Sequence, residues 1–177
     1  VSTTGDSSPA IMIADGGGIL IADGGSFTTS GAMSQGIYSK GDVTVTNASV
    51  NALNAKAAVL KGNNTITLSG TTLEGKETTD TVPYNIVLFS DEKDIGTMGT
   101  QHFDVRGGSL ISHKGGMFYV TATHGKISLN GTAITMDNPA ANLITVAGND
   151  GANGWGTPGR NGGHVELVAD NQVLTGN

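Results

Sequence analysis

The eight residues VTVTNASV (43–50) return with other letters as ITLSGTTL (66–73), FDVRGGSL (103–110) and ISLNGTAI (127–134). What is kept is a pattern. Apolar residues hold the first, third and eighth positions, polar or small ones the second and fourth, and Asn or Gly the fifth. Alternate residues of a strand point to the same side. Val43 and Val45, Ile66 and Leu68, and Ile127 and Leu129 are therefore expected to face a common interior. The fifth residue, as in Asn47, Gly70 and Gly131, is of a type that tolerates left-handed backbone angles, so the chain is expected to bend there.

Two looser copies extend the series. ILIADGGSF (19–27) carries one extra residue before Phe27, and VELVADNQV (165–173) has Ala169 where a turn former is expected. First residues then fall at 19, 43, 66, 103, 127 and 165, in steps of 24, 23, 37, 24 and 38. Repeats of about 20 to 50 residues are the mark of solenoids, in which no unit buries its apolar face without its neighbours. Between copies lies a further apolar run: GIYS (36–39), AAVL (57–60), NIVLF (85–89), MFYV (117–120) and NLITV (142–146). Each coil thus holds two or three strands, and stacking coils makes parallel sheets with a spacing of about 4.8 Å. The expected fold is all-β, a parallel β-helix of about six coils of 23–24 residues in a single domain, 1–177.

A helix competes for 47–62, where Val50, Leu53, Ala57 and Leu60 stand at helical spacing between Asn47 as a cap and Gly62 as a stop. Its register with the other copies favours strands and turns. Gly accounts for 28 of 177 residues and charged residues for 14%, against a usual 7% or so and about 25%, which implies many turns and an uncharged wall. Regularly spaced Val, Ile and Leu argue against disorder.

The net charge of −6, with nine scattered Lys and Arg, argues against binding nucleic acid or an anionic lipid surface. No apolar run approaches the roughly 18 residues of a membrane span, and no signal peptide opens the chain. The absence of Cys removes disulfides and thiolate metal sites. Neither end carries a recognisable cap. The expectation is a segment of a longer surface protein, whose ends stack on adjoining coils or on another copy.

The long steps point to a site. Ile37 precedes Val43 by six residues, whereas Val87 precedes Phe103 by 16 and Ile144 precedes Val165 by 21. Two loop insertions at one corner are expected, SDEKDIGTMGTQH (90–102) and AGNDGANGWGTPGRNGGH (147–164), with THGK (123–126) of the coil between them at the same corner. Two coils of about 4.8 Å set the roots roughly 10 Å apart, a gap that fits a ligand. Loops on a rigid scaffold are where binding residues collect. Here they supply Asp91, Glu92, Asp94, His124, Asn149, Asp150, Trp155 and Arg160. Trp155, the single Trp, stands among Gly residues, and an aromatic face beside carboxylates and amides suits a sugar ring.

Other chemistry finds less support. Asp91, Glu92 and Asp94 offer oxygens to calcium without EF-hand spacing, so no metal or other cofactor is assigned. AMSQG (32–36) misses the G-x-S-x-G nucleophile turn, and no two of His102, His113, His124 and His164 show ligand spacing, so no catalytic residue is assigned. Leu20 and Ala22, Thr44 and Thr46, Thr65 and Thr67, Asp104 and Arg106, Ser128 and Asn130, and Glu166 and Val168 are expected to face outward. The Thr-x-Thr rungs suggest an ice-binding face, which Asp104 and Arg106 interrupt.

With the rungs VTVTNASV, ITLSGTTL and ISLNGTAI, the tract MFYVTATHGKISLNG and the Gly-rich GNDGANGWGTPGRNGG, the chain resembles large secreted, right-handed, single-stranded parallel β-helix proteins of Gram-positive, gut-type bacteria, the adhesin-like and pectate-lyase-like superfamily. The resemblance implies an extracellular or cell-surface location and two classes of activity. The first is a non-enzymatic rod presenting its corner loops to glycans or surfaces. The second is a polysaccharide lyase or hydrolase, for which Lys93, Arg106, Lys126 and Arg160 are the basic candidates. A purely structural spacer or filament subunit is the third reading.

Overall fold

The computed structural model describes residues 1–15, 17–76, 85–90, 99–148 and 162–174. These residues form strands and turns without an α-helix. Coil one comprises β1 (Ser2–Thr3), β2 (Ile11–Ile13) and β3 (Ile19–Asp23); coil two β4 (Ser26–Thr29), β5 (Ile37–Ser39) and β6 (Asp42–Thr46); coil three β7 (Ser49–Ala52), β8 (Ala58–Lys61) and β9 (Asn64–Ser69). Coil four comprises β10 (Thr72–Gly75), β11 (Val87–Ser90) and β12 (Thr100–Arg106); coil five β13 (Ser109–Ser112), β14 (Phe118–Thr121) and β15 (His124–Asn130); coil six β16 (Ala133–Met136), β17 (Ile144–Val146) and β18 (His164–Asp170). The first strands of the six coils pair in chain order into one wall, the second strands into another and the third into a last, each of six strands. All the pairings are parallel. The chain is a parallel β-helix of six coils.

The eight-residue phrase is the passage from one coil to the next. Its first half is the third-wall strand, in which Val43, Ile66, Phe103 and Ile127 stand on one another and are buried. Its fifth residue is the bend: Gly24, Asn47, Gly70, Gly107, Gly131 and Asn171 all have φ between 48° and 73°. Its eighth residue opens the first wall of the following coil, where Phe27, Val50, Leu73, Leu110 and Ile134 are stacked. The segment 47–62 that also fits a helix forms β7 and β8 with a bend between them: Val50 stands between Phe27 and Leu73 and Leu60 between Ser39 and Phe89, while Leu53 lies in the bend, 40% exposed.

Three expectations need correction. In coil one Leu20, not Ile19, stands on Val43, so Leu20 and Ala22 face inward while Ile19 and Ile21 are 78% and 77% exposed. In coil six Leu167, not Val165, stands on Ile127. With these starts both copies regain the eight-residue spacing, as LIADGGSF and LVADNQVL, and both place a bend residue fifth. The Thr-x-Thr rungs are likewise shifted. Thr44 neighbours Thr67 and Thr46 neighbours Ser69, while the Thr65 amide donates to Asp42 Oδ1 at 2.8 Å.

The core is apolar and, in its middle, aromatic. Phe103 packs edge-on against Phe89 and Phe118, with ring centroids 6.4 and 6.0 Å away, a favoured geometry for aromatic pairs. A second cluster lies on the outer side of the second wall, where Val59 and Leu88 are fully buried and Tyr119 nearly so. Strands buried on both faces read as continuous apolar runs, and AAVL, NIVLF and MFYV are such runs.

Candidate functional site

The corner between the second and third walls is a two-residue link in three coils: β5 ends at Ser39 and β6 starts at Asp42, β8 ends at Lys61 and β9 starts at Asn64, β14 ends at Thr121 and β15 starts at His124. In coil four the link runs from Ser90 to Thr100 and in coil six from Val146 to His164. Both long links therefore leave the same corner, with coil five between them. Not all the extra chain of coil four leaves there. Its corner between the first and second walls, from Gly75 to Val87, is also long beside Ala52 to Ala58 in coil three and Ser112 to Phe118 in coil five. The first long step is thus shared between two corners.

The roots are fastened to coil five. Gly99 O accepts from Thr123 Oγ1 at 2.7 Å and from the His124 amide at 2.9 Å. The Ala147 amide donates to Val120 O at 3.0 Å and the His164 amide to Thr123 O at 2.9 Å. Inside the corner, buried amides take up turn carbonyls: Asn64 Nδ2 donates to Ser39 O at 2.9 Å and Gln101 Nε2 to Ser90 O at 3.0 Å. Three buried oxygens at this corner, Asn64 Oδ1, Gln101 Oε1 and Thr121 Oγ1, have no hydrogen-bond partner among the described residues. Phe89 and Phe103 close the interior on either side of the coil-four link.

Of the residues expected to form the site, His124 is half-buried on the outer face of the third wall. Asp91, Glu92, Asp94, Asn149, Asp150, Trp155 and Arg160 lie outside the described residues, as does Lys93. What the structure fixes is where their links begin and end.

The outer face beside the corner carries charge in pairs. Lys126 Nζ is 3.1 Å from Glu166 Oε1 and Arg106 Nη2 is 2.7 Å from Asp104 Oδ2. The hydrogen bond to Asp104 raises the Arg106 pKa further. His102 lies 2.9 Å through Nε2 from Ser128 Oγ; burial, chiefly, lowers its pKa from 6.5, against the opposing charge of Asp104.

Sequence spacing missed a pair of histidines. Because Leu167 stands on Ile127, His164 stands on His124, and their ring centroids are 5.0 Å apart. The signal was present in the fifth-position rule, which sets the phase of β18 through Asn171. No group of three or more His, Cys, Asp or Glu side chains able to hold a metal occurs among the described residues.

Farther along the rod, the outer row of the second wall continues past Val59 to Tyr38 and Met12. There it borders a cavity of about 350 Å³, lined also by Met33 and Gln35 and by the ion-paired Asp15 and Lys40. Comparison with protein-family models, with curated proteins and with solved structures finds no significant match.

Proposed function

We propose that the protein is a non-enzymatic segment of a secreted or cell-surface bacterial protein, a rigid rod whose corner links present residues to glycans. The observation that carries this reading is the common origin of the two long links, from coils four and six on either side of coil five. Their roots are bonded to a scaffold with an aromatic interior, so the links are held at a fixed separation of roughly 10 Å, two coil spacings. Rigid elements carrying long loops are the usual design of a recognition surface. The residues those links contain, Trp155 with Asp91, Glu92, Asp94, Asn149, Asp150 and Arg160, have the aromatic, acidic, amide and guanidinium chemistry that holds a sugar ring.

Of the basic residues named for polysaccharide cleavage, Arg106 is paired with Asp104 and Lys126 with Glu166, and Lys93 and Arg160 lie outside the described residues. Along the rod axis, coil six exposes inward-row residues Val146 and Leu167, 47% and 39% accessible. Further coils or a second copy would stack on this edge.

A glycan array tests the reading. The chain is compared with a variant in which 91–99 and 148–163 are each replaced by the two-residue link Gly62-Asn63 of coil three. Glycan signals that vanish in the variant, with its far-UV circular dichroism unchanged, are the expected result. Equal signals from both proteins, or no signal from the natural chain, would remove the proposal.

A further inference from the structure

We infer that His124 and His164 chelate a late first-row divalent transition cation, Zn²⁺, Ni²⁺ or Cu²⁺, on the outer face of the third wall. The inference stands apart from glycan binding. The two residues are register partners on β15 and β18, and both backbones are fixed by bonds to neighbouring coils, the His124 amide to Gly99 O and the His164 amide to Thr123 O, each at 2.9 Å. Their ring centroids are 5.0 Å apart with the planes inclined at 45°. A ring whose nitrogen stands about 2.0–2.1 Å from a metal has its centre roughly 3.2 Å from it, and two such rings at near-tetrahedral angles stand about 5 Å apart. The observed separation matches that value. The 45° inclination is neither the offset stack nor the edge-to-face contact favoured by aromatic pairs.

The ring nitrogens are also available. Neither His124 nor His164 makes a side-chain hydrogen bond among the described residues, their ring contact being with each other. The other histidines differ: both nitrogens of His113 face carboxylates, and His102 engages Ser128. Glu166 projects from β18 on the same face, two residues beyond His164, and adds negative charge nearby although it is paired with Lys126. Two imidazoles select the borderline-soft cations Zn²⁺, Ni²⁺ and Cu²⁺, whereas Ca²⁺ and Mg²⁺ take oxygen ligands. The register makes the site: a slip of one residue in β18 would carry His164 to the opposite face.

The test is isothermal titration of the whole chain with NiCl₂, ZnCl₂ and CaCl₂ in a non-coordinating buffer. One Ni²⁺ or Zn²⁺ per chain is expected. Affinity should fall about tenfold or more in His124→Gln and in His164→Gln, stay unchanged in His113→Gln, and be undetectable for Ca²⁺. Electron-spin resonance of the Cu²⁺-loaded natural chain, which needs no variant to fold, should show coupling to two imidazole nitrogens. Absence of stoichiometric binding, binding by both single variants equal to that of the natural chain, or coupling to one nitrogen would overturn the site.

Discussion

His113 shows how stacking turns one side chain into a brace across three coils. Its Nε2 lies 2.6 Å from Glu74 Oε1 of coil four and its Nδ1 2.7 Å from Asp137 Oδ2, just beyond the β16 strand of coil six. Both nitrogens can donate only in the imidazolium form, and the hydrogen bonds to Asp137 first and Glu74 second raise the His113 pKa above its ordinary 6.5. A histidine whose pKa is raised by folding contributes stability in full below the unfolded value and loses it as pH rises through the folded value. His102, lowered by burial, acts in the opposite direction, so the comparison must be made between chains that differ only at His113. In urea denaturation followed from pH 5 to pH 9, His113→Gln is expected to be destabilising on the acid side, with the difference shrinking as pH rises above 6.5. A difference that is constant with pH would refute the brace.

At the scale of strands, the sequence is legible where apolar and polar residues alternate in one phase, and ambiguous where apolar residues occupy both. VTVTN, ITLSG and ISLNG offer one inward set, and their bends at Asn47, Gly70 and Gly131 have the left-handed backbone that the pattern requires. ILIADG offers two, and VELVADN offers one, Val165, Leu167 and Ala169, without marking which of them begins the phrase. Alternation alone therefore admits either Ile19 or Leu20, and either Val165 or Leu167, as the start; the bends at Gly24 and Asn171 decide it. The unmarked start of VELVADN hid the neighbouring positions of His124 and His164. The second-wall runs AAVL, NIVLF and MFYV mark the strands but not the burial of both their faces, because an unbroken apolar run carries no phase. Leu88 belongs to the outer row yet is fully buried with Val59 and Tyr119. Leu88→Ala should accordingly cost about 2–5 kcal/mol in chemical denaturation, as for a core leucine, whereas an exposed outer-row position would change stability by less than about 0.5 kcal/mol. A change of the latter size at Leu88 would show that the second cluster does not stabilise the fold.

For the whole molecule, register is the source of every functional statement. It places the two long links at one corner, the paired charges beside them and the two imidazoles on adjacent rungs. The outer row Ile21, Thr44, Thr67, Asp104, Ser128 and Val168 crosses all six coils one rung at a time. Distance along this row depends on the number of rungs and not on the number of residues between them. The chain has no Cys, so spin labels can be attached at introduced cysteines alone. Pulsed dipolar spectroscopy on the pairs 21/128, 44/168 and 21/168 tests the stacking most directly. The first two pairs are each four rungs apart and should give equal mean distances of about 19 Å, and the third, at five rungs, about 24 Å, with the nitroxide linkers broadening all three alike. Unequal distances for 21/128 and 44/168, or a 21/168 distance no longer than either, would contradict the stacked coil and everything drawn from it.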